Sequence, residues 1–549
     1  MDFRKELQGA FKGEIATDEA TLERYSEDTS LFHIKPACVA TPKDSEDLRA
    51  LVRFATTNEG VSLTARSAGT DMSGGPLNDS IIVSMTEHFD RIIEVGEDYA
   101  IAEPGVYYRD FEKATLAKGL LLPCYTASRE LNTVGGMVAN NSAGEKSLTY
   151  GKTNRYVREL SVIFADGNEY TLRRLSRQEL EAKKAQDDFE GYVYRETERI
   201  IREHRETIKK ETPTVSKNSA GYAIWNVWNE TEDTFDLTQL LTGSQGTLGL
   251  ISRITLGLIR PKTHARMLVL FLRKKHMDEL GELVNTVLAF RPESFESYDD
   301  KTFDVMLRVF PQLLSRLGGN PFTLLTEFLP EVRMFLSGGI PKLVLMAEFT
   351  ADTDEEAAEA ALRAQKAVKE KYDIATHVTH SQKESEKYWT IRRESFNLLR
   401  KNIHGKHTAP FIDDISVRPE HLPEFLPKLY AIMAQYKIIF TIAGHIGDGN
   451  FHIIPLMDFS RPDFVSIIRG LSNKVYALVG EYHGSITGEH NDGLIRTPFL
   501  DRMFSPEMLD VFAEIKKIFD PQGIFNPHKK VGGDMELLFR SIKREVRES

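Results

Sequence analysis

Alternating apolar and polar positions predict that the first half of the chain is rich in short strands with helices between them. Residues 37–60 predict a strand, a turn marked by Pro42, and a helix that begins near Asp44 and stops at Gly60. Similar apolar runs predict further strands at 61–66, 81–85, 92–96, 99–106 and 160–167. Before them, residues 1–30 predict a polar helical extension.

A different pattern follows Pro261, which we take as a domain boundary. Apolar runs predict strands at 265–272, 342–350 and 373–380. Helical periodicity predicts helices at 277–290 and 353–372. The second helix is acidic at its start and basic at its end, as the helix dipole favours. The pattern is typical of a strand–helix–strand–strand–helix–strand order, which predicts an α+β sheet that is covered on one face.

An apolar segment at about 302–340 interrupts this second region with a roughly helical spacing. Its apolar positions include Phe303, Met306, Leu307, Phe310, Leu313, Leu314 and Leu317. An inserted hairpin of core helices is one interpretation. A lid, a partner surface or a membrane-surface patch is the other.

Composition narrows the class of protein. At 549 residues, the chain exceeds the ~250–300 residues at which single cores stop growing, so we expect more than one domain. The net charge is −11 and the sequence has no basic stripe, so it does not indicate nucleic-acid binding. The two cysteines, Cys38 and Cys124, exclude a disulfide framework and an iron–sulfur cluster carried by this chain.

The sequence also lacks membrane and secretion signals. The N-terminus has no uninterrupted apolar stretch of the kind found in signal peptides. No apolar run approaches the ~18–20 residues that a membrane-spanning helix needs. We therefore expect a cytoplasmic protein, with a peripheral position at the inner membrane as an alternative.

Three glycine-rich segments lie in the strand-rich half. The first, residues 64–75, directly follows a predicted strand, and its backbone N–H groups can form an anion-binding nest. It lacks the Gly-x-Gly-x-x-Gly fingerprint, so taken alone it is better interpreted as a plain connecting loop. The other two segments span residues 132–157 and 240–256, and each could be a tight packing turn. Together, the three favour the lining of one extended ligand.

A histidine pair near the C-terminus carries the clearest chemical signal. His445 and His452 flank a Gly-Asp-Gly turn between two apolar runs, so a hairpin can aim both imidazoles at one point. Glu489 follows in a second glycine-flanked turn. Two imidazoles and a carboxylate with one open position suit a catalytic zinc, and manganese, cobalt or iron could use the same ligands. A purely structural histidine pair is the alternative.

His490 adjoins Glu489 and can have a separate role. An unperturbed imidazole pKa near ~6.5 suits a general base around neutral pH. A fourth metal ligand or a hydrogen-bonded core histidine is the alternative.

The glycine-rich segments resemble the flavin-binding domain of the vanillyl-alcohol oxidase and p-cresol methylhydroxylase superfamily. The resemblance implies that the first loop holds the FAD pyrophosphate and the other two line the adenine, ribitol and isoalloxazine. The implied FAD-lining residues are Arg66, Ser67, Ala68, Gly69, Thr70, Asp71, Ser73, Gly74, Gly135, Gly136, Asn140, Asn141, Ser142, Ala143, Gly144, Gly246, Thr247, Gly249 and Ile251. The first loop contains no His or Cys, so non-covalent FAD is implied.

The C-terminal motifs resemble FAD-linked D-2-hydroxy acid dehydrogenases, which include D-lactate and D-2-hydroxyglutarate dehydrogenases and glycolate oxidase catalytic subunits. The family's His-x-Gly-Asp-Gly-Asn-x-His motif matches residues 445–452 completely. Its Gly-Glu-His-Gly-Asp-Gly motif matches residues 488–493, except that Asn491 replaces a glycine.

Three further positions bear on the same resemblance. Arg392 lies in a Trp-x-x-Arg segment and would pair with the substrate carboxylate, with a surface helix arginine as the alternative. A hydroxyglutarate enzyme would carry a basic residue near Ile412, and none is there. Asn526 would touch the flavin, and His528 stands where glycine is usual.

The resemblance implies an α+β fold in several parts. Residues 1–30 would form a helical extension, and residues 31–260 a two-part FAD-binding domain of the p-cresol methylhydroxylase type. Residues 261–520 would form a ferredoxin-like α+β substrate domain that binds the metal. Residues 521–549 would return to the flavin.

The implied reaction is oxidation of a D-lactate-like D-2-hydroxy acid to the 2-oxo acid. The metal would polarise the hydroxyl, His490 would take its proton, and the C2 hydride would pass to flavin N5. The electron acceptor would be a quinone, a cytochrome, an electron-transfer flavoprotein or a separate iron–sulfur protein, and a homodimer stays open. D-2-hydroxyglutarate or glycolate oxidation, an alkyl-dihydroxyacetone-phosphate synthase and a flavin subunit of a larger electron-transfer complex are the alternatives.

Overall fold

The computed structural model describes residues 3–7, 9–300, 341–401, 407–436 and 438–543. The chain divides into two compact units. The first unit comprises Met1–Gly144, Gly151–Pro261 and Ser485–Ser549, and the second comprises Glu145–Tyr150 and Lys262–Gly484. The apolar segment at about 302–340 lies outside the described residues.

Strands are numbered β1 to β20 in chain order within the described residues. They are β1 (Glu14–Ala16), β2 (Cys38–Thr41), β3 (Leu63–Arg66), β4 (Ile81–Ser84), β5 (Ile92–Val95), β6 (Tyr99–Ala102), β7 (Val157–Ile163), β8 (Glu169–Arg173), β9 (Leu175–Ser176), β10 (Trp228–Asn229), β11 (Thr234–Phe235), β12 (Leu250–Gly257), β13 (His264–Leu272), β14 (Ser294–Asp299), β15 (Leu343–Ala351), β16 (Ala375–Val378), β17 (His407–Thr408), β18 (Ile415–Ser416), β19 (Ile439–His445) and β20 (Asn450–Met457).

The α-helices are numbered in the same way. They are α1 (Phe3–Glu6), α2 (Glu19–Tyr25), α3 (Ser45–Thr57), α4 (Tyr108–Leu116), α5 (Val134–Asn140), α6 (Ser147–Tyr150), α7 (Arg177–Lys184), α8 (Phe189–Glu203), α9 (Arg205–Glu211), α10 (Thr238–Leu241), α11 (Leu280–Leu288), α12 (Asp354–Lys371), α13 (Gln382–Lys401), α14 (Leu422–Met433), α15 (Phe464–Glu481), α16 (Gly493–Arg496), α17 (Pro506–Phe519) and α18 (Met535–Arg540). Short 3₁₀ turns are Thr153–Arg155, Ile224–Asn226, Lys274–Glu279, Pro419–His421, Ile446–Asp448 and Thr497–Arg502.

A four-stranded sheet with the order β1-β2-β4-β3 begins the first unit. Its strands β2, β4 and β3 run parallel, and helix α3 connects β2 to β3. The predicted helix start is confirmed, since the Asp44 side chain accepts a hydrogen bond from the Asp47 backbone N–H. One face of α3 is buried in the core at Leu48, Leu51, Val52 and Ala55.

The rest of the first unit surrounds a five-stranded antiparallel sheet with the order β5-β6-β12-β7-β8. A small sheet of β10, β11 and β9 lies in the same unit. The C-terminal part of the chain joins this unit beside β3. There the Leu63 N–H donates to the Ile524 carbonyl at 2.7 Å, and the Asn526 N–H donates to the Leu63 carbonyl at 2.9 Å.

The second unit contains an eight-stranded sheet. Its path is β16-β13-β15-β14-β19-β20-β17, and β18 pairs with β20. The four strands β13 to β16 alternate with α11 and α12 in the predicted strand–helix–strand–strand–helix–strand order. Helix α12 is confirmed and buries its small residues Ala357, Ala361 and Ala364. Thr353 caps its start by accepting a hydrogen bond from the Glu356 N–H.

Candidate functional site

The loop after β3 offers backbone donors in the first unit. Among the described residues, the N–H groups of 67–70 donate no hydrogen bond to the rest of the chain. Gly69 and Gly74 have left-handed φ values of 69° and 79°, which let the loop curl. The Asp71 carboxylate holds the far side of the loop by accepting from Ser73 N at 3.0 Å and Gly75 N at 2.7 Å. A row of free N–H groups fits the charge of a pyrophosphate.

Side-chain hydrogen bonds bring the three glycine-rich segments together. Asn140 Nδ2 donates to Asp71 Oδ1 at 3.0 Å, which joins the second segment to the first. Gln245 Nε2 donates to Ser73 Oγ at 3.2 Å, and Gln245 N donates to the Ala139 carbonyl at 2.9 Å. The third segment is therefore bonded to both of the others.

The predicted lining glycines differ in what surrounds them. A Cβ on Gly135, Gly144 or Gly249 would overlap Pro104, Tyr125 and Val162 respectively, so close packing explains these three. A Cβ on Gly136 or Gly246 would have its nearest atoms at 3.5 and 3.9 Å, so packing does not require glycine there. The other predicted lining residues are buried or half-buried in the same unit: Arg66, Ala68, Thr70, Asn141, Ser142, Ala143, Thr247 and Ile251.

Asn526 bonds the C-terminal segment to the first and third glycine-rich segments. Its Nδ2 donates to the carbonyls of Gly75 at 3.0 Å and Gln245 at 2.7 Å. Its Oδ1 accepts from Thr64 Oγ1 at 2.9 Å. Contact with a flavin stays a prediction for this residue.

Glu489 forms a buried ion pair with a lysine that sequence reasoning did not single out. Lys217 Nζ lies 2.9 Å from Glu489 Oε2, and the Lys217 side chain is 1% exposed. The next residue, His490, is partly exposed, and its Nε2 lies 3.7 Å from Glu489 Oε1. Lys152 Nζ holds the preceding backbone by donating to the Gly488 carbonyl at 2.6 Å. Neither lysine lies in a motif with a metal or catalytic spacing, so the sequence offered no signal for them.

The Asn491 departure from the family motif has a structural explanation. Asn491 has a φ of 66°, in the left-handed region that glycine and asparagine tolerate best. Its Nδ2 donates to the Gly243 carbonyl at 2.8 Å, and its Oδ1 accepts from Lys530 Nζ at 2.8 Å. The turn thus keeps its conformation without glycine. His528 has a φ of 65° and also occupies that region.

The histidine pair occupies one hairpin of the second unit. His445 ends β19 and faces Asn450 across the hairpin, and His452 in β20 faces Ala443. This register places both histidines on the same face as diagonal neighbours. Their ring centroids are 5.4 Å apart and their planes meet at 82°. Gly449 closes the turn with a φ of 63°.

Two buried carboxylates orient these imidazoles. Glu296 Oε1 lies 2.6 Å from His445 Nδ1, and Asp413 Oδ1 lies 3.1 Å from His452 Nδ1. The two carboxylates are 1% and 0% exposed. A carboxylate on Nδ1 fixes the tautomer of a metal-binding histidine and leaves Nε2 as the coordinating atom. This donor set fits a divalent metal. Sequence reasoning missed both carboxylates.

Arg392 lies on α13, and its guanidinium pairs with Glu296 Oε2. Its side chain is 10% exposed. Ile412, near which a hydroxyglutarate enzyme would carry a basic residue, is fully buried. Glu296 therefore contacts both a histidine of the predicted metal set and the predicted substrate arginine.

Two family models match the chain. Residues 36–173 match the FAD binding domain, and residues 263–530 match the C-terminal domain of FAD linked oxidases. Over these two ranges the chain is similar to FAD linked oxidases, with an FAD binding domain followed by their C-terminal domain. FAD is the cofactor that this match supports.

Curated proteins that are similar to this chain are named for hydroxy-acid oxidation. The D-2-hydroxyglutarate dehydrogenase of Escherichia coli K12 is 26% identical over 537 residues, 96% of this chain and 51% of the relative. The glycolate oxidase subunit GlcD of Bacillus subtilis is 25% identical over 93% of this chain and 92% of the relative. The D-lactate dehydrogenase of Archaeoglobus fulgidus is 26% identical over 90% and 91%. The chain spans about half the length of the first of these relatives.

Solved structures confirm the α+β fold of the p-cresol methylhydroxylase type. The 4-ethylphenol oxidase of Gulosibacter chungangensis superimposes with a TM-score of 0.67 at 15% identity, over 98% of this chain and 97% of that one. p-Cresol methylhydroxylase with substrate bound gives a TM-score of 0.66 at 12% identity, over 95% and 94%. Within the described residues, every helix is too short or too polar to cross a membrane.

Proposed function

We propose that this protein is an FAD-linked dehydrogenase that oxidises a D-2-hydroxy acid to the 2-oxo acid. The observation that carries the proposal is the histidine pair, in which buried Glu296 and Asp413 orient His445 and His452 through Nδ1. It occurs in a chain that also matches an FAD binding domain and has relatives named for D-2-hydroxy acids.

In this proposal, FAD is bound non-covalently along the predicted lining residues, with the N–H groups of 67–70 at its pyrophosphate. His445, His452 and Glu489 are the ligands of a divalent metal, with zinc as the first candidate. When bound, FAD supplies a hydride acceptor and the metal supplies Lewis-acid polarisation of the substrate. The support for the ligand set is the chemistry of the three side chains.

The chain's own residues position the substrate and move its proton. Arg392 binds the substrate carboxylate, which holds C2 in one orientation. A ring nitrogen of His490 takes the hydroxyl proton while two electrons and the C2 hydrogen leave as hydride, so the product is the 2-oxo acid. Glu296 and Asp413 keep the imidazoles of His445 and His452 in one tautomer and orientation. A separate electron acceptor completes the turnover.

A D-lactate-like monocarboxylate is the first substrate candidate, because Ile412 stands where a second carboxylate would need a basic partner. D-2-hydroxyglutarate is the second candidate, since several relatives carry that name. Glycolate is a third, through the resemblance to the glycolate oxidase subunit.

The deciding experiment is dye reduction by the purified full-length protein with a panel of D- and L-2-hydroxy acids. We expect a yellow protein, activity with D-acids only, loss of activity on chelation and recovery with a divalent metal. Protein that binds no flavin, or that stays fully active after thorough metal removal, contradicts the proposal.

The role of His490 is tested separately. His490→Ala should lower kcat by about 10²–10⁴-fold while FAD remains bound. The control is His88→Ala, which removes a partly exposed histidine that pairs with Glu14. Near-normal turnover of the His490 variant would refute its role as base.

A further inference from the structure

A second histidine–carboxylate cluster lies in the second unit, apart from the proposed catalytic residues. His377 is on the edge strand β16, His380 is in the loop that follows, and Glu384 is in the first turn of α13. Their potential ligand atoms all lie within 4.8 Å of one another. The two ring centroids are 5.5 Å apart and the ring planes meet at 76°.

Local structure holds this cluster in place. β16 is fixed by its pairing with β13, where His377 faces Val269. Ser381 caps α13 by accepting from Glu384 N at 3.2 Å, which sets the start of the helix. The Glu384 carboxylate then accepts from His380 N at 2.6 Å and lies 2.8 Å from His377 Nε2.

The cluster is accessible from solvent. The His377 and Glu384 side chains are 18% and 16% exposed, and His380 is exposed. A cation can therefore reach a preformed carboxylate and two imidazoles from solvent.

We propose that His377, His380 and Glu384 form a second binding site for a divalent transition metal, with Zn²⁺ as the cation of choice. Two imidazoles and one carboxylate are a complete protein ligand set for zinc, with water in the fourth position. Tetrahedral zinc needs ligand atoms about 3.3 Å apart, which side-chain rotation can reach from the present spacing. The bound cation would replace the direct His377–Glu384 hydrogen bond and clip β16 to α13.

Simple surface ion pairs elsewhere in the chain give the contrast. His33 pairs with Glu23 at 3.0 Å, as His377 pairs with Glu384. Among the described residues, no second imidazole or further carboxylate completes a metal-binding group around His33. The His33 pair is therefore a matched control, because it has one imidazole and one carboxylate at the surface.

The test is zinc stoichiometry of the full-length, FAD-loaded protein, measured by equilibrium dialysis and elemental analysis. His380→Ala should lose one zinc equivalent relative to the unmodified protein, and Glu384→Gln should weaken that equivalent by at least tenfold. His33→Ala should lose none. Since His380 is exposed, its substitution should leave the fold intact, which circular dichroism checks.

The test is independent of the proposed function. His445→Ala should remove a different equivalent, and the double variant with His380→Ala should lose both. If the catalytic metal set is wrong, the unmodified protein still binds one zinc that His380→Ala removes. Equal stoichiometry and affinity in the His380 variant and the unmodified protein would overturn the proposal. So would zinc binding that fails to saturate below millimolar concentration.

Discussion

Oε1 of Glu296 lies 2.6 Å from Nδ1 of His445, in a part of the sheet where the carboxylate is almost fully buried. The other oxygen of the same carboxylate pairs with Arg392. One side chain on β14 thus orients an imidazole of the proposed metal set and the guanidinium of the proposed substrate-binding residue.

Glu296→Gln should therefore weaken metal binding by about 10–100-fold, because the neutral amide orients and polarises the His445 ring less well than a carboxylate. Competition with a fluorescent zinc chelator measures the affinity, and flavin absorbance checks that FAD is retained. Glu293→Gln is the control, since Glu293 lies three residues earlier and pairs with Lys146. Unchanged zinc affinity in the Glu296 variant would show that this carboxylate has no part in metal binding.

Lys217→Met should destabilise the metal-free protein by about 3–5 kcal/mol, because it breaks the buried ion pair between Lys217 and Glu489. Equilibrium unfolding in urea, followed with and without a divalent metal, measures the loss. A metal that binds Glu489 should recover more stability in this variant than in the unmodified protein. Lys262→Met, which breaks an exposed pair with Asp352, should cost only about 0–1 kcal/mol. Similar losses from both substitutions would contradict the prediction.

Gly493→Ala should disrupt the first unit and reduce FAD retention. Gly493 has a φ of 52°, and a Cβ there would overlap the side chain and carbonyl of Ser73. Gly532→Ala isolates the backbone strain, since Gly532 has a φ of 64° and open space around it. Gly532→Ala should lower the free energy of unfolding by about 1–2 kcal/mol, and Gly493→Ala should lower it distinctly more. Unfolding and flavin release are the measurements, and equal effects of the two variants would disprove the packing argument.

Glu198→Gln should lower stability in a pH-dependent way. Burial raises the pKa of Glu198, but hydrogen bonds from Lys184, Arg202 and Arg177 outweigh it and lower the pKa to about 2. A carboxyl with a lowered folded pKa contributes its stability above the unfolded pKa near 4.5 and loses it as pH falls towards 2.

The loss of folding stability in Glu198→Gln should therefore be constant above about pH 5 and become smaller below it. Unfolding midpoints measured as a function of pH would show this. Glu196→Gln removes a partly exposed partner of Arg199 and should give a small loss of stability at every pH. A stability loss in Glu198→Gln that stays unchanged down to pH 3 would contradict the lowered pKa of Glu198.

Local features of the site followed from the sequence. The spacing of His445 and His452 around a Gly-Asp-Gly turn predicts a hairpin, and the structure has one. The helix from 353 to 372 and the strand–helix order after Pro261 were also confirmed. These predictions succeeded because periodicity, capping residues and turn residues act over a few positions along the chain.

The partners of the site residues did not follow from the sequence. Glu296 and His445 are 149 residues apart, and Lys217 and Glu489 are 272 residues apart. Asp413 reaches His452 across 39 residues. Residue spacing along the chain does not predict such pairs, because sheet register and burial bring them together.

The sequence by itself determined the two C-terminal motifs, the glycine-rich segments, most element types and the family they resemble. It did not predict strand β1, which lies in the segment 1–30 that was expected to be helical and is formed by pairing with β2. Only the tertiary structure decided that residues 485–543 belong to the first unit and that two buried carboxylates orient the histidine pair. The physical reason is that buried charges and polar groups must find partners wherever the fold places them. Gly493 can lie against Ser73 because it lacks a side chain, and the sequence alone does not name that neighbour.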